Sequence, residues 1–315
     1  VELLSRFIST RKQKEIKEDL SKGLVDILIG THMLLSKDVS FKNLGLVVVD
    51  EEHRFGVMHK EKLKKNFPGV DFLMLSATPI PRSLSMSLSG LRDISLLTTP
   101  PQRRLPVITV TRQFSEYFLK QAILREVSRG GQIFYVHNRI FNIHDRYMML
   151  KRLFPNLTIA VAHGKIPELE LEKTMAKFVA GEIDILLCTT IVESGLDIPG
   201  ANTLIVDDAE ELGLAQMYQL RGRVGRSTEQ AYAYFTFPKN KTLTEDASNR
   251  LQAIAENTEL GSGFKIAMRD LSIRGAGELL GKTQHGHLVK IGYDMYTKIL
   301  KEAVEKNKKL FKIIF

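Results

Sequence analysis

Leu46-Val-Val-Val-Asp50-Glu51-Glu52-His53 sets four apolar residues directly ahead of three acids and a histidine. An apolar run this short reads as a strand buried on both faces, as in a parallel sheet covered by helices. The acids then stand at the strand's carboxyl end, the edge of open α/β sheets where ligands bind. The pattern recurs outward from there. Leu24–Ile29, Phe72–Leu75, Ile133–Val136, Thr158–Ala162, Ile183–Leu187 and Leu204–Val206 are further short runs rich in Val, Ile and Leu. Between them lie the amphipathic stretches Arg11–Lys22, Ser115–Arg129, Ile140–Phe154 and Glu168–Ala180. Such alternation predicts right-handed βαβ units and an α/β fold of parallel sheets.

Three prolines in Thr98-Thr-Pro-Pro-Gln-Arg-Arg-Leu-Pro106 interrupt both periodicities and predict a domain linker. A second shift falls at Pro238-Lys-Asn-Lys-Thr242, after which the pattern is helical, with a glycine-rich insert from Arg274 to Gly286. The expected order is an α/β domain over 1–100, a second over 101–240 and a helical element over 241–315. The 315 residues hold 43% hydrophobic and 26% charged side chains, a globular mix that excludes disordered and fibrous classes. No apolar run approaches the ~18 residues of a membrane span. The start, Val1-Glu-Leu-Leu-Ser-Arg-Phe, lacks the pattern of a secretory leader. The single cysteine, Cys188, leaves no internal disulfide and no multi-thiolate zinc site, so a reducing cytoplasm is the expected compartment. A net charge of +9, from 45 basic and 36 acidic residues, weakly favours a polyanionic partner.

Four segments carry chemistry. Asp50 can hold Mg²⁺ through carboxylate oxygen, and Glu51 can orient a water toward a γ-phosphate; an acidic turn would look the same. Ser76-Ala-Thr78-Pro-Ile-Pro-Arg82 puts small hydroxyl residues after a strand, where they can relay a hydrogen-bonding change or merely cap a helix. Thr189-Thr190-Ile-Val-Glu193-Ser-Gly195-Leu-Asp197 again sets hydroxyls, a glycine and an acid after a strand. Gln219-Leu-Arg221-Gly-Arg223-Val-Gly-Arg226 spaces three arginines by glycine, which suits bidentate phosphate recognition at close backbone approach. His163 follows a strand and is equally an ordinary loop histidine, and His285 and His287 lack partners at metal-ligand spacing.

In order, these segments resemble motifs II, III, V and VI of superfamily 2 helicases and translocases. Gly30-Thr31 resembles the phosphate-contacting Ib segment, and Gln132–Asn138 the motif IV strand. The closer resemblance is to the transcription-repair coupling family, carried by Asp50-Glu-Glu-His-Arg-Phe-Gly56, Gly213-Leu-Ala-Gln and Asp270-Leu-Ser-Ile-Arg-Gly-Ala-Gly-Glu-Leu-Leu-Gly281. RecG-like fork-reversing helicases share the motor, but typically read Arg-Gly-Pro-Gly-Glu-Phe where this chain has Arg274-Gly-Ala-Gly-Glu-Leu279. The resemblance implies two RecA-like domains, the first incomplete, and a helical translocation element. It implies ATP and Mg²⁺ as cofactors and double-stranded DNA as substrate. RNA polymerase and an excision-repair damage-recognition protein would bind through regions outside this chain. Residue by residue it implies metal binding by Asp50 and catalysis by Glu51, Gln219, Arg223 and Arg226. ATP contacts fall to Gly195 and Asp197, and DNA contacts to Thr31, His163 and Thr190. Coupling falls to His53, Ser76, Thr78, Arg274 and Gln284.

A motor of this kind needs a Gly-x-x-x-x-Gly-Lys-Ser/Thr loop on its first strand, and nothing ahead of Asp50 fits. The chain is therefore expected to be a motor fragment that hydrolyses ATP negligibly by itself. Ala276-Gly-Glu-Leu-Leu-Gly281-Lys282-Thr283 satisfies a relaxed form of the loop, but no apolar strand precedes it and no apolar helix follows. The alternatives are a catalytically silent DNA-binding module and, through Lys282, a P-loop kinase.

Overall fold

The computed structural model describes residues 1–5, 8–51, 65, 67–77, 93–97, 99, 104–189 and 198–274. The chain divides into two compact units, one ending at Ala77 and a larger one following it.

In the first unit, β1 (Glu2–Leu4) pairs in parallel with β2 (Leu28–Gly30), and β3 (Leu46–Val49) with β4 (Asp71–Met74). Helix α1 (Thr10–Lys22) joins β1 to β2. Ser9 caps it by accepting from the Lys12 amide, and Gly23 ends it at φ 79°. The run expected as a strand from Leu24 shrinks to Leu28–Gly30 for a local reason. Gly23 and Leu24 still donate to Leu20 and Asp19 of α1, a closing turn that delays extended backbone. Gly30 is required by close approach, since a Cβ there would stand 2.4 Å from the Leu4 carbonyl oxygen. The expectation of burial on both faces fails here: Leu46 is 54% exposed and Leu73 49%. A two-stranded ribbon has few neighbours with which to cover both faces.

The second unit is built on a six-stranded parallel sheet of order β5-β10-β9-β6-β8-β7. These strands are β5 (Ile108–Gln113), β6 (Gln132–Val136), β7 (Ile159–Ala162), β8 (Ile185–Cys188), β9 (Ala201–Val206) and β10 (Tyr232–Phe237). Here the both-faces expectation holds, with β6, β8 and β9 buried along their whole length. Helices α2 (Glu116–Ser128) and α3 (Ile143–Leu153) serve one apolar cluster around Ile123, Tyr135 and Ile205. Helices α4 (Glu168–Val179), α5 (Leu214–Arg221), α6 (Glu245–Glu256) and α7 (Gly263–Arg274) serve another around Phe178, Leu204 and Phe235. Helices cover both faces, so the inner strands β6, β8 and β9 are buried from end to end. Arg274, expected to open the glycine-rich insert, is instead the last residue of α7. Among the described residues no helix is long and apolar enough to cross a membrane, and no group of three or more His, Cys, Asp or Glu could hold a metal.

Candidate functional site

In the first unit the register Val49↔Met74 brings the ends of β3 and β4 side by side, and the Leu75 amide donates to the Val49 carbonyl at 2.8 Å. Asp50, Glu51 and Ser76 therefore share one carboxyl edge, as a parallel sheet dictates for residues following adjacent strands. Asp50 is exposed, and one of its carboxylate oxygens accepts from the Glu51 amide at 2.8 Å. Hard oxygen donors with solvent on one side are what Mg²⁺ takes alongside retained waters, so Asp50 fits that ion. Glu51 has φ 49°, a left-handed backbone that side-chain-bearing residues adopt only at a cost of order 1 kcal/mol. That strain sits at the residue expected to orient a water. Thr31 follows β2 in extended conformation, exposed, and makes no side-chain cap to the 3-10 turn His32–Leu35.

In the second unit, His163 follows β7 and its Nδ1 accepts from the Lys165 amide at 3.3 Å. Gln219 lies on α5, with Arg223 and Arg226 in the turn after it. Gly225 shapes that turn at φ 72°, where a Cβ would stand 2.9 Å from Val107, and its carbonyl accepts from Arg104 at 2.9 Å. Arg226 donates to the Gly222 carbonyl at 3.3 Å and remains partly open to solvent, while Arg223 is buried.

The three arginines do not act alike. Arg221 turns inward, donating to the Ile254 carbonyl at 2.9 Å and the Ser262 hydroxyl at 3.3 Å, and it lies 5.0 Å from the Tyr218 ring centre. Burial lowers its pKa, the cost of a cation taken from water. Arg221 thus ties α5 to α6 and to Ser262, the residue ahead of α7. His53, Thr78, Thr190, Gly195, Asp197 and Gln284, with the Lys282 alternative, lie outside the described residues.

Sequence reasoning passed over a buried polar group at the same edge. Asp207, after β9, accepts from the Tyr135 hydroxyl at 3.0 Å, from the Thr236 hydroxyl at 3.1 Å and from Arg146 at 2.9 Å. His137, after β6, lies 3.5 Å from the same carboxylate through Nδ1, and its Nε2 meets Asn142 at 2.7 Å. Burial alone would lower the His137 pKa, but the bonds to Asp207 and Asn142 outweigh it and the net shift is upward. Asp208 follows at φ 49°. The 3-10 turn Ala209–Glu211 is then clamped by Lys241 on Glu210 and Glu211, by Arg139 on Glu211 and by Arg250 on the Glu210 carbonyl. This corner launches α5. The signal was present in the sequence: Asp207-Asp208 after an apolar run repeats the Asp50-Glu51 pattern.

Comparison with known proteins agrees with this geometry. Residues 2–87 match the DEAD/DEAH box helicase family, and residues 116–228 the helicase conserved C-terminal domain. A transcription-repair-coupling factor of Staphylococcus haemolyticus is 56% identical over 308 residues, covering 98% of this chain and 26% of that protein. Its Staphylococcus aureus USA300 counterpart is 55% identical with the same coverage. The chain thus spans about a quarter of the length of these curated relatives. A structure of RecG bound to a three-way DNA junction is 37% identical, with a TM-score of 0.70, covering 95% of this chain and 39% of that one.

Proposed function

For this chain, a helicase-family chain that groups with the transcription-repair-coupling factors, we propose the role of motor segment in an ATP-dependent double-stranded DNA translocase. The reading rests on one observation above the others. An exposed aspartate, a strained glutamate and a serine share the end of two paired strands, and a second RecA-like sheet carries Arg223 and Arg226 on a glycine-shaped turn. Asp50 would hold Mg²⁺, which would neutralise phosphate charge when bound with ATP. Glu51 would orient the attacking water, and Arg223 and Arg226 would meet charge that develops on the phosphate. Gln219 would act in catalysis beside them, Gly195 and Asp197 would contact ATP, and Thr31, His163 and Thr190 the DNA backbone. His53, Ser76, Thr78, Arg274 and Gln284 would pass the nucleotide state to the DNA grip. The parent protein would push stalled RNA polymerase forward and recruit a damage-recognition protein through its other regions, in the cytoplasm.

A RecG-like fork-reversing role is the second reading, favoured by the RecG structure's 37% identity. It ranks lower than the coupling factors' 55–56% over 98% of the chain. The test is steady-state kinetics of the parent protein. Arg223→Ala and Arg226→Ala should each cut kcat by 10³-fold or more while KM for ATP changes far less, because the interaction forms in the transition state. Near-normal turnover in both variants refutes the assignment.

A further inference from the structure

Along the β5 edge of the second unit, arginines and aromatic rings alternate. The Arg112 guanidinium lies 4.1 Å from the Phe118 ring centre, and Phe118 meets Tyr234 edge-to-face at 5.0 Å. Tyr234 stacks on Tyr232 at 6.1 Å and 4°, and Tyr232 in turn lies under Arg125 at 4.8 Å and Arg129 at 5.4 Å. All three arginines are exposed. Their partners differ. Arg129 is spent on Glu126 at 2.5 Å and on the Gln230 carbonyl at 2.6 Å. Arg125 gives one donor to the Tyr234 hydroxyl at 3.1 Å. The described residues pair neither Arg112 nor Arg125 with a carboxylate. The nearby acid Glu116 is engaged by Arg152.

A guanidinium laid on a ring has lost most of its rotamer freedom while its N–H edge still points to solvent, so binding an anion there costs less ordering than at a free lysine. The rings are engaged by the guanidinium groups and by one another and are half-buried or buried, so the exposed groups of this stripe are the arginines. Arg112 stands opposite Thr236, four residues beyond Tyr232 on β10. Arg112 and Arg125 thus sit at two different points along this edge.

We propose that Arg112 and Arg125 form an accessory, sequence-independent contact to the phosphate backbone of duplex DNA, outside the motif segments. The proposal rests on the DNA-translocase reading, and its test separates the two. Anisotropy of a labelled 30-base-pair duplex, titrated with the chain across a salt series, gives the slope of log affinity against log salt. Each phosphate contact contributes about 0.9 to that slope. The double variant Arg112→Ala/Arg125→Ala should lower its magnitude by about 1.8, Arg112→Lys/Arg125→Lys should largely retain it, and Arg152→Ala should leave it unchanged. An unaltered slope in the double alanine variant overturns this inference alone. An equal loss in the lysine variant with a lowered Tm also overturns it, since the arginines would then matter only to folding. Poly-glutamate binding that needs both arginines while the duplex slope does not would move the surface to acidic proteins and overturn it. Absence of duplex binding by the unaltered chain refutes the translocase reading and this contact with it.

Discussion

Arg221→Ala should destabilise the second unit rather than merely weaken phosphate recognition. Removing the guanidinium deletes bonds to the buried Ile254 carbonyl and to the Ser262 hydroxyl, and the stacking on Tyr218. A hydrogen bond to a charged group contributes about 1.5–3 kcal/mol. The longer 3.3 Å bond is worth less, and a desolvated cation–π contact adds about 1–2 kcal/mol. Against these stands the cost of burying the cation, visible in its lowered pKa. The net loss works out at about 3 kcal/mol. For a unit of this size, about 2–4 °C per kcal/mol gives a Tm lower by about 6–12 °C. Thermal unfolding followed by circular dichroism reads it directly. Arg221→Lys keeps the charge but not the two-pronged reach, and should fall between. A Tm within 2 °C of the unaltered chain for Arg221→Ala would refute the inward role and return Arg221 to the phosphate-binding set.

Two further outcomes concern stability. Asp208 holds φ 49°, so Asp208→Ala should be less stable than Asp208→Gly by about 1 kcal/mol, read as a Tm gap of about 2–4 °C; an alanine variant as stable as the glycine one contradicts the strain argument. His137 has its folded pKa raised above its ordinary 6.5, so its contribution is fully present below that value and is lost as pH rises through the folded pKa. The Tm difference between the unaltered chain and His137→Gln should therefore be larger at pH 6 than at pH 8, and a constant or growing difference refutes the pairing with Asp207.

What the sequence revealed depended on how each element is buried. β6, β8 and β9 lie between two helical layers, so their runs of Val, Ile and Leu announced them. β5, the edge strand, and β10 beside it mix Thr, Arg, Gln and Tyr among their apolar residues and escaped notice. β1 has only three residues. At the site, Asp50, Glu51 and Ser76 were legible because a parallel sheet forces strand-following residues onto one edge. The inward turn of Arg221 was not: glycine spacing gives no sign of it, and the contacts of Arg221 with Ile254 and Ser262 decide it. The Asp207 cluster assembles from β6, β9, β10 and α3, four segments far apart in sequence, and no local pattern joins them.

As proposed, this fold moves along duplex DNA at the expense of ATP. Displacement of a triplex-forming strand from duplex DNA by the parent protein tests it most directly. Displacement is expected with Mg²⁺ and ATP, none with a non-hydrolysable analogue, none with Asp50→Asn, and no dependence on duplex sequence. Displacement that persists without hydrolysis, or ATP turnover that DNA does not stimulate and that moves no triplex, would contradict it.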